Sequence, residues 1–137
     1  MGDILMTQIR MQTTWRLVFT TGLMSSLMAL AGLAQAAAPA FSKGALVGPN
    51  GMTLYTFDKD TAGSGKSVCN GPCAKLWPPL VAAAGDMPSG DYTLVTRDDG
   101  AKQWAFKGKP LYYYEADKAA GERSGDKFKD VWHIIPE

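Results

Sequence analysis

The residues equipped for chemistry are few. Cys69 and Cys73 are the only cysteines and His133 is the only histidine. Two thiols with this spacing and an imidazole could hold copper, because thiolates suit Cu(I) and imidazole suits Cu(II). Neither fuller cysteine signature is present. The thioredoxin-type Cys-x-x-Cys is absent, and Cys73 is followed by Ala74-Lys75, not by the histidine of haem attachment. In an oxidising compartment such a pair becomes a structural disulfide. Asn70-Gly71-Pro72 supplies the turn that brings the two α-carbons within bridging distance. Closing so short a loop adds about 2 kcal/mol by the chain-entropy argument. A Cys69–Cys73 disulfide with no cofactor is therefore the reading adopted. A periplasmic copper-binding or thiol-redox protein using Cys69, Cys73 and His133 is the alternative.

Carboxylates form the second candidate set. Asp58 and Asp60 precede a loop containing Gly63 and Gly65, and Glu115 and Asp117 precede one containing Gly121 and Gly125. Alternating carboxylates before a flexible loop could hold Ca²⁺, which takes six to eight oxygens. No glutamate closes a twelve-residue loop in the first stretch, so the EF-hand spacing fails. The simpler expectation is that Asp60 and Asp117 accept hydrogen bonds from loop N–H groups and fix the way each loop leaves its strand. Gly65-Lys66-Ser67 resembles the end of a phosphate loop, but Asp60 stands where that motif needs a glycine. No G-x-S-x-G elbow accompanies Ser64 or Ser67. No catalytic constellation emerges, and an enzyme is not expected.

The elements that must position these residues repeat. Gly51-Met-Thr-Leu-Tyr-Thr-Phe-Asp-Lys-Asp60 recurs 57 residues later as Gly108-Lys-Pro-Leu-Tyr-Tyr-Tyr-Glu-Ala-Asp117. Trp77 and Trp132 then sit in matching apolar runs. Two copies point to a pseudo-two-fold domain, since a solenoid needs three or more units. Tyr55 and Phe57 are two apart, as are Tyr112 and Tyr114, so each pair faces one side of a strand. Asn50-Gly51 and Asp99-Gly100 are hairpin turns, because such pairs accept positive φ cheaply. The spacing predicts a meander of Tyr92–Thr96, Lys102–Phe106 and Leu111–Glu115, and a last strand at Val131–Ile135. A short helical turn fits Pro72–Leu76, ended by Pro78-Pro79. The fold class is mostly β, a small single domain of two pseudo-symmetric units with about seven short strands. Tyr55, Phe57, Trp77, Trp104, Tyr112, Tyr114 and Trp132 are expected in the core, where each buries about 150–250 Å². Tyr113, on the opposite strand face, is expected to be exposed and to offer a contact surface.

The N-terminus reads as an export signal. Arg10 and Arg16 precede an apolar run from Leu17 to Leu33, which ends in Ala34-Gln35-Ala36. The organisation expected is a signal peptide at 1–36, a flexible tail at 37–43 and a two-repeat domain at 44–137, with units at about 44–80 and 101–136. No cysteine precedes Cys69, so no lipid anchor is expected after signal cleavage, and the location is periplasmic or secreted. From Ala37 onward basic and acidic residues balance at 12 each, which gives no electrostatic basis for nucleic-acid binding. The partner expected is an envelope protein or a small ligand, and the chain itself a monomer.

The segments Tyr55-Thr-Phe57-Asp-Lys-Asp60 and Tyr112-Tyr-Tyr114-Glu-Ala-Asp117 both fit the pattern Tyr-x-(Phe/Trp/Tyr)-x-x-Asp. Cys69-Asn-Gly-Pro-Cys73-Ala-Lys-Leu-Trp77-Pro-Pro-Leu80, Arg97-Asp-Asp-Gly100, Gln103-Trp-Ala-Phe106 and Val131-Trp132-His133 accompany them. Together, from about Gly44 to Pro136, they resemble a family of bacterial secreted repeats and predicted lipoproteins of unknown function. The resemblance implies an exported protein and brings no reaction, substrate or catalytic residue with it. The missing lipobox cysteine sets this chain apart from many members.

Overall fold

A computed structural model describes residues 38–137. The expected signal peptide at 1–36 lies outside the described residues. Among the described residues, seven short strands form three small antiparallel sheets. They are β1 (Ala40–Ser42), β2 (Ala45–Val47), β3 (Tyr55–Phe57), β4 (Tyr92–Thr96), β5 (Lys102–Phe106), β6 (Lys109–Pro110) and β7 (Trp132–Ile134). One short helix, α1 (Pro72–Leu76), starts on a proline, whose missing N–H costs nothing in a first helical turn. The sheets are β1–β2, β3–β7 and β4–β5–β6.

The two units are threaded through each other. Strand β3 of the first unit pairs with β7 at the end of the second, with Tyr55 opposite Ile134 and Phe57 opposite Trp132. The corresponding segment at the end of the first unit pairs into the second, with Pro79 opposite Tyr112 and Val81 opposite Gln103. At the pseudo-two-fold axis the two motif tyrosines pair with each other. Tyr55 N–H donates to the Tyr112 carbonyl at 2.8 Å, and Tyr112 N–H donates back at 3.0 Å. Each unit thus supplies ladder partners that the other lacks.

Two cores follow from strand alternation, because successive side chains point to opposite faces. On one face lie Tyr55, Phe57, Cys69, Trp77, Tyr112 and Trp132. Four rings stack in the order Phe57, Trp132, Trp77, Tyr114, with centroids 4.3, 3.8 and 4.1 Å apart. Rings from the two units alternate along this stack. Tyr55 meets Trp77 edge-on at 5.4 Å and Tyr112 meets Trp132 edge-on at 5.1 Å. Edge-to-face and parallel contacts of this kind add roughly 0.5–1.5 kcal/mol each beyond area burial. Gly125 lies against Trp77, where a Cβ would come within 2.7 Å of the indole. The second core holds Leu46, Leu54, Leu80, Trp104 and Leu111.

Four local expectations are corrected. Ala40–Ser42, assigned to a flexible tail at 37–43, form β1 instead, anchored by Phe41 packing edge-on against Phe106 at 5.8 Å. Leu111–Glu115 is not the third meander strand. Leu111 N–H still donates to the Trp104 carbonyl at 2.9 Å, and the chain then leaves β5, because Tyr112 gives both backbone groups to Tyr55 across the axis. Tyr113 is half-buried, not exposed, since the face opposite Tyr112 meets the second core. Strand β4 also extends the second unit upstream of the expected start at 101.

Candidate functional site

The repeated tyrosines and aspartates meet crosswise. The Tyr55 hydroxyl donates to Asp117 Oδ2 at 2.6 Å, and the Tyr112 hydroxyl donates to Asp60 Oδ2. Each carboxylate spends its other oxygen on the loop that follows it. Val68 N–H donates to Asp60 Oδ1 at 2.7 Å, and Ser124 N–H donates to Asp117 Oδ1 at 3.0 Å. Both tyrosines are fully buried and both aspartates nearly so. The loop N–H partners were expected from the sequence; the tyrosine partners from the opposite unit were not. Only the repetition itself signalled that paired residues answer each other across an axis.

The electrostatics follow from burial. Burial pushes the Asp60 carboxyl up, while the Tyr112 hydroxyl, the Val68 N–H and the Arg97 charge draw it back. Burial, and then the hydrogen bond to a carboxylate, raises both Tyr55 and Tyr112 well above the ordinary tyrosine range.

The Asp60 side carries a further network. The buried Arg97 donates to Ser67 Oγ at 3.1 Å, Gln103 Oε1 at 2.8 Å, the Cys69 carbonyl at 2.6 Å and Asn70 Oδ1 at 3.1 Å. Gln103 in turn donates to the Leu111 carbonyl at 2.7 Å. Ser67 bonds the Tyr112 hydroxyl, the place taken by Gly125 N–H at Tyr55. Among the described residues no carboxylate lies within ion-pair distance of Arg97. A buried guanidinium needs its donors satisfied, and neutral acceptors do that here. Sequence alone did not single out Arg97, because arginine is normally exposed.

Cys69 and Cys73 are bridged, with α-carbons 5.2 Å apart, and hold the loop that carries Ser67 and Asn70 against Arg97. His133 is elsewhere. Its Nε2 bonds Asp58 Oδ2 at 2.7 Å, with the two side chains 39% and 44% exposed. Among the described residues no three His, Cys, Asp or Glu side chains converge as a metal site. The three residues of the copper alternative are therefore divided between a disulfide bridge and a surface ion pair.

An open groove of 370 Å³ surrounds that ion pair. It is lined by the apolar side chains of Phe106, Ile134, Ile135 and Pro136 and by the polar ones of Thr56, Asp58, His133, Lys107 and Lys109. A second cleft continues past Phe106 and Pro136 to Phe41, Tyr92, Asp91 and Glu137. The buried motif residues face neither opening directly, apart from Asp117, which borders a small hollow of 170 Å³ beside Tyr113 and Tyr114.

No curated protein and no solved structure matches the chain. Residues 42–81 and again 93–135 match one family, whose two copies coincide with the two interleaved units. With the motif tyrosines, aspartates and tryptophans all placed in those units, the chain belongs to the family described as a secreted repeat of unknown function.

Proposed function

We propose that this exported protein is a non-enzymatic module that binds a partner or small ligand at the cell envelope, in the periplasm or outside the cell. The observation carrying this reading is the crosswise use of the repeated motif. Each motif tyrosine is buried and its hydroxyl is bonded to the aspartate of the other unit. The hydroxyl protons are spent on these bonds, and tyrosines and aspartates alike are buried. The repeated residues thus serve as scaffold, and recognition falls to positions at which the two units differ. The disulfide and Arg97 serve the same scaffold by ordering the loop between Asp60 and Cys73.

Native mass spectrometry of the protein recovered from the envelope or medium tests this. The expected result is a retained partner or small molecule. Asp117→Asn should lower the melting temperature and reduce that retention only in proportion to the folded fraction. An Asp117→Asn protein that melts like the wild type but retains nothing would make the motif a binding site and overturn the scaffold reading.

A further inference from the structure

The two units place equivalent residues around equivalent hollows, but Tyr113 narrows one to 170 Å³ while the other is open at 370 Å³. Tyr113 in the second copy of the motif corresponds to Thr56 in the first. Tyr113 lies across Gly48 so closely that a Cβ there would sit 2.2 Å from its hydroxyl. The ladder partners Val47–Thr53 and Ala105–Pro110 are equivalent, so the counterpart of Gly48 is Phe106. At the open site, therefore, a threonine replaces the tyrosine and a phenylalanine wall replaces the glycine bed. The remaining exchanges also have direction. Asn50 and Met52 beside the narrowed hollow correspond to Lys107 and Lys109 beside the open groove. Pro78, next to Trp77, corresponds to His133, next to Trp132.

From this asymmetry we infer that the groove at Thr56, His133 and Lys109 is a binding site for a small anion with an apolar body, such as a medium-chain or aryl carboxylate. The inference rests on the binding reading above and names its site and ligand class. The apolar lining of Phe106, Ile134, Ile135 and Pro136 offers surface that a ligand can remove from water, worth about 25 cal/mol per Å². Its 370 Å³ falls within the size range of small-molecule sites. The charge of the polar lining is positive. Lys107 and Lys109 stand against one carboxylate, Asp58, which His133 already engages. The carboxylates Asp91 and Glu137 border the adjoining cleft, which shares Lys107, whereas Lys109 borders this groove alone, so an anionic head is placed at Lys109. A sugar fits less well. The Lys107 ammonium lies over the Phe106 ring at 5.3 Å and covers the face on which a sugar would stack. The imidazole–carboxylate pair offers one further hydrogen-bonding position there.

The test uses the full chain, labelled for NMR, with three probes that share one alkyl chain: octanoate, octylammonium and octyl glucoside. Octanoate is expected to shift the signals of Thr56, Lys107, His133 and Ile134 together, with saturation. Lys107→Asn combined with Lys109→Gln is expected to weaken it by about fivefold, the worth of two exposed ion pairs. Both side chains are exposed, so the double variant should keep its fold. Thr56→Tyr, which copies the ring that narrows the other hollow, should abolish the shifts. Thr56→Val keeps the size of the groove and should retain them, which covers the case of a misfolded tyrosine variant. Octylammonium or octyl glucoside binding as tightly as octanoate would overturn the anion assignment. Shifts outside the groove, or none with any probe, would overturn the site. Either failure leaves the retained-ligand experiment above as the separate judge of the wider binding reading.

Discussion

The two tyrosine–aspartate locks share one geometry but not one environment. At Asp117 the lock consists of Tyr55, two backbone N–H groups and little else. At Asp60 the same arrangement is backed by Ser67, Arg97, Gln103 and the Cys69–Cys73 bridge. The surface reverses that pattern, since the hollow at Tyr113 is narrowed by that ring and the groove at Thr56 is open. The comparison separates two kinds of residue. Those that recur in both units build the interior around the axis. Those that do not recur either reinforce one lock or shape one groove.

Alkali should have the largest effect, because it attacks both locks at once. Tyr55 and Tyr112 are held above their ordinary values by burial and by their carboxylate partners. The unfolded chain releases these protons near pH 10. The folded chain therefore binds them more tightly, so stability is intact below about pH 10 and falls as the pH rises above it. Phenolate absorbance and unfolding should rise together for these two tyrosines. Their ionisation within a still-folded protein would break the account of the locks.

Next in size are the aspartates, whose removal should expose the difference between the locks. Asp60→Ala is expected to cost about 3–4 kcal/mol and Asp117→Ala about 2–3 kcal/mol, from the donors each leaves unpaired. The extra cost at Asp60 comes from the neighbouring buried Arg97, which loses a nearby negative charge. Denaturant unfolding measures both, and equal costs would mean that the Arg97 network adds nothing. Cys73→Ser should remove about 2 kcal/mol, again from the Asp60 side only. The smallest change, about 1 kcal/mol, is expected for Tyr113→Thr, because that ring is only half-buried. This variant opens the second hollow next to Asn50, Met52 and Glu115, where no lysine stands, and octanoate should not enter it.

Much of the local structure was legible because it is set by neighbours in sequence. Strands β4 and β5, the turn at Asp99-Gly100 and helix α1 follow from alternation, turn residues and a proline at the first helical turn. The aromatic core on the Tyr55 and Tyr112 face followed from period-two spacing. What stayed hidden is which strand pairs with which. Alternation says that a strand has two faces, but not that the partner of Tyr55 is Tyr112, or that Pro79 crosses into the second unit. For the same reason Tyr113 was misplaced. A strand face opposite one core is exposed in a single-layer reading, whereas here a second core covers it. Arg97 and Gln103 were hidden because polar side chains are buried only where tertiary structure supplies partners. Nothing local marks the open groove, since it arises from differences between units that lie side by side only after folding.

Separating the units tests most directly whether they complete each other. The chain can be divided in the exposed connection between Met87 and Tyr92, and near-UV circular dichroism can be recorded for each half alone and for the mixture. Because the four-ring stack alternates between units and each lock takes its tyrosine from the other half, neither half alone should show aromatic order, and mixing should restore the spectrum of the intact protein. A native-like aromatic spectrum from either half by itself would contradict the account.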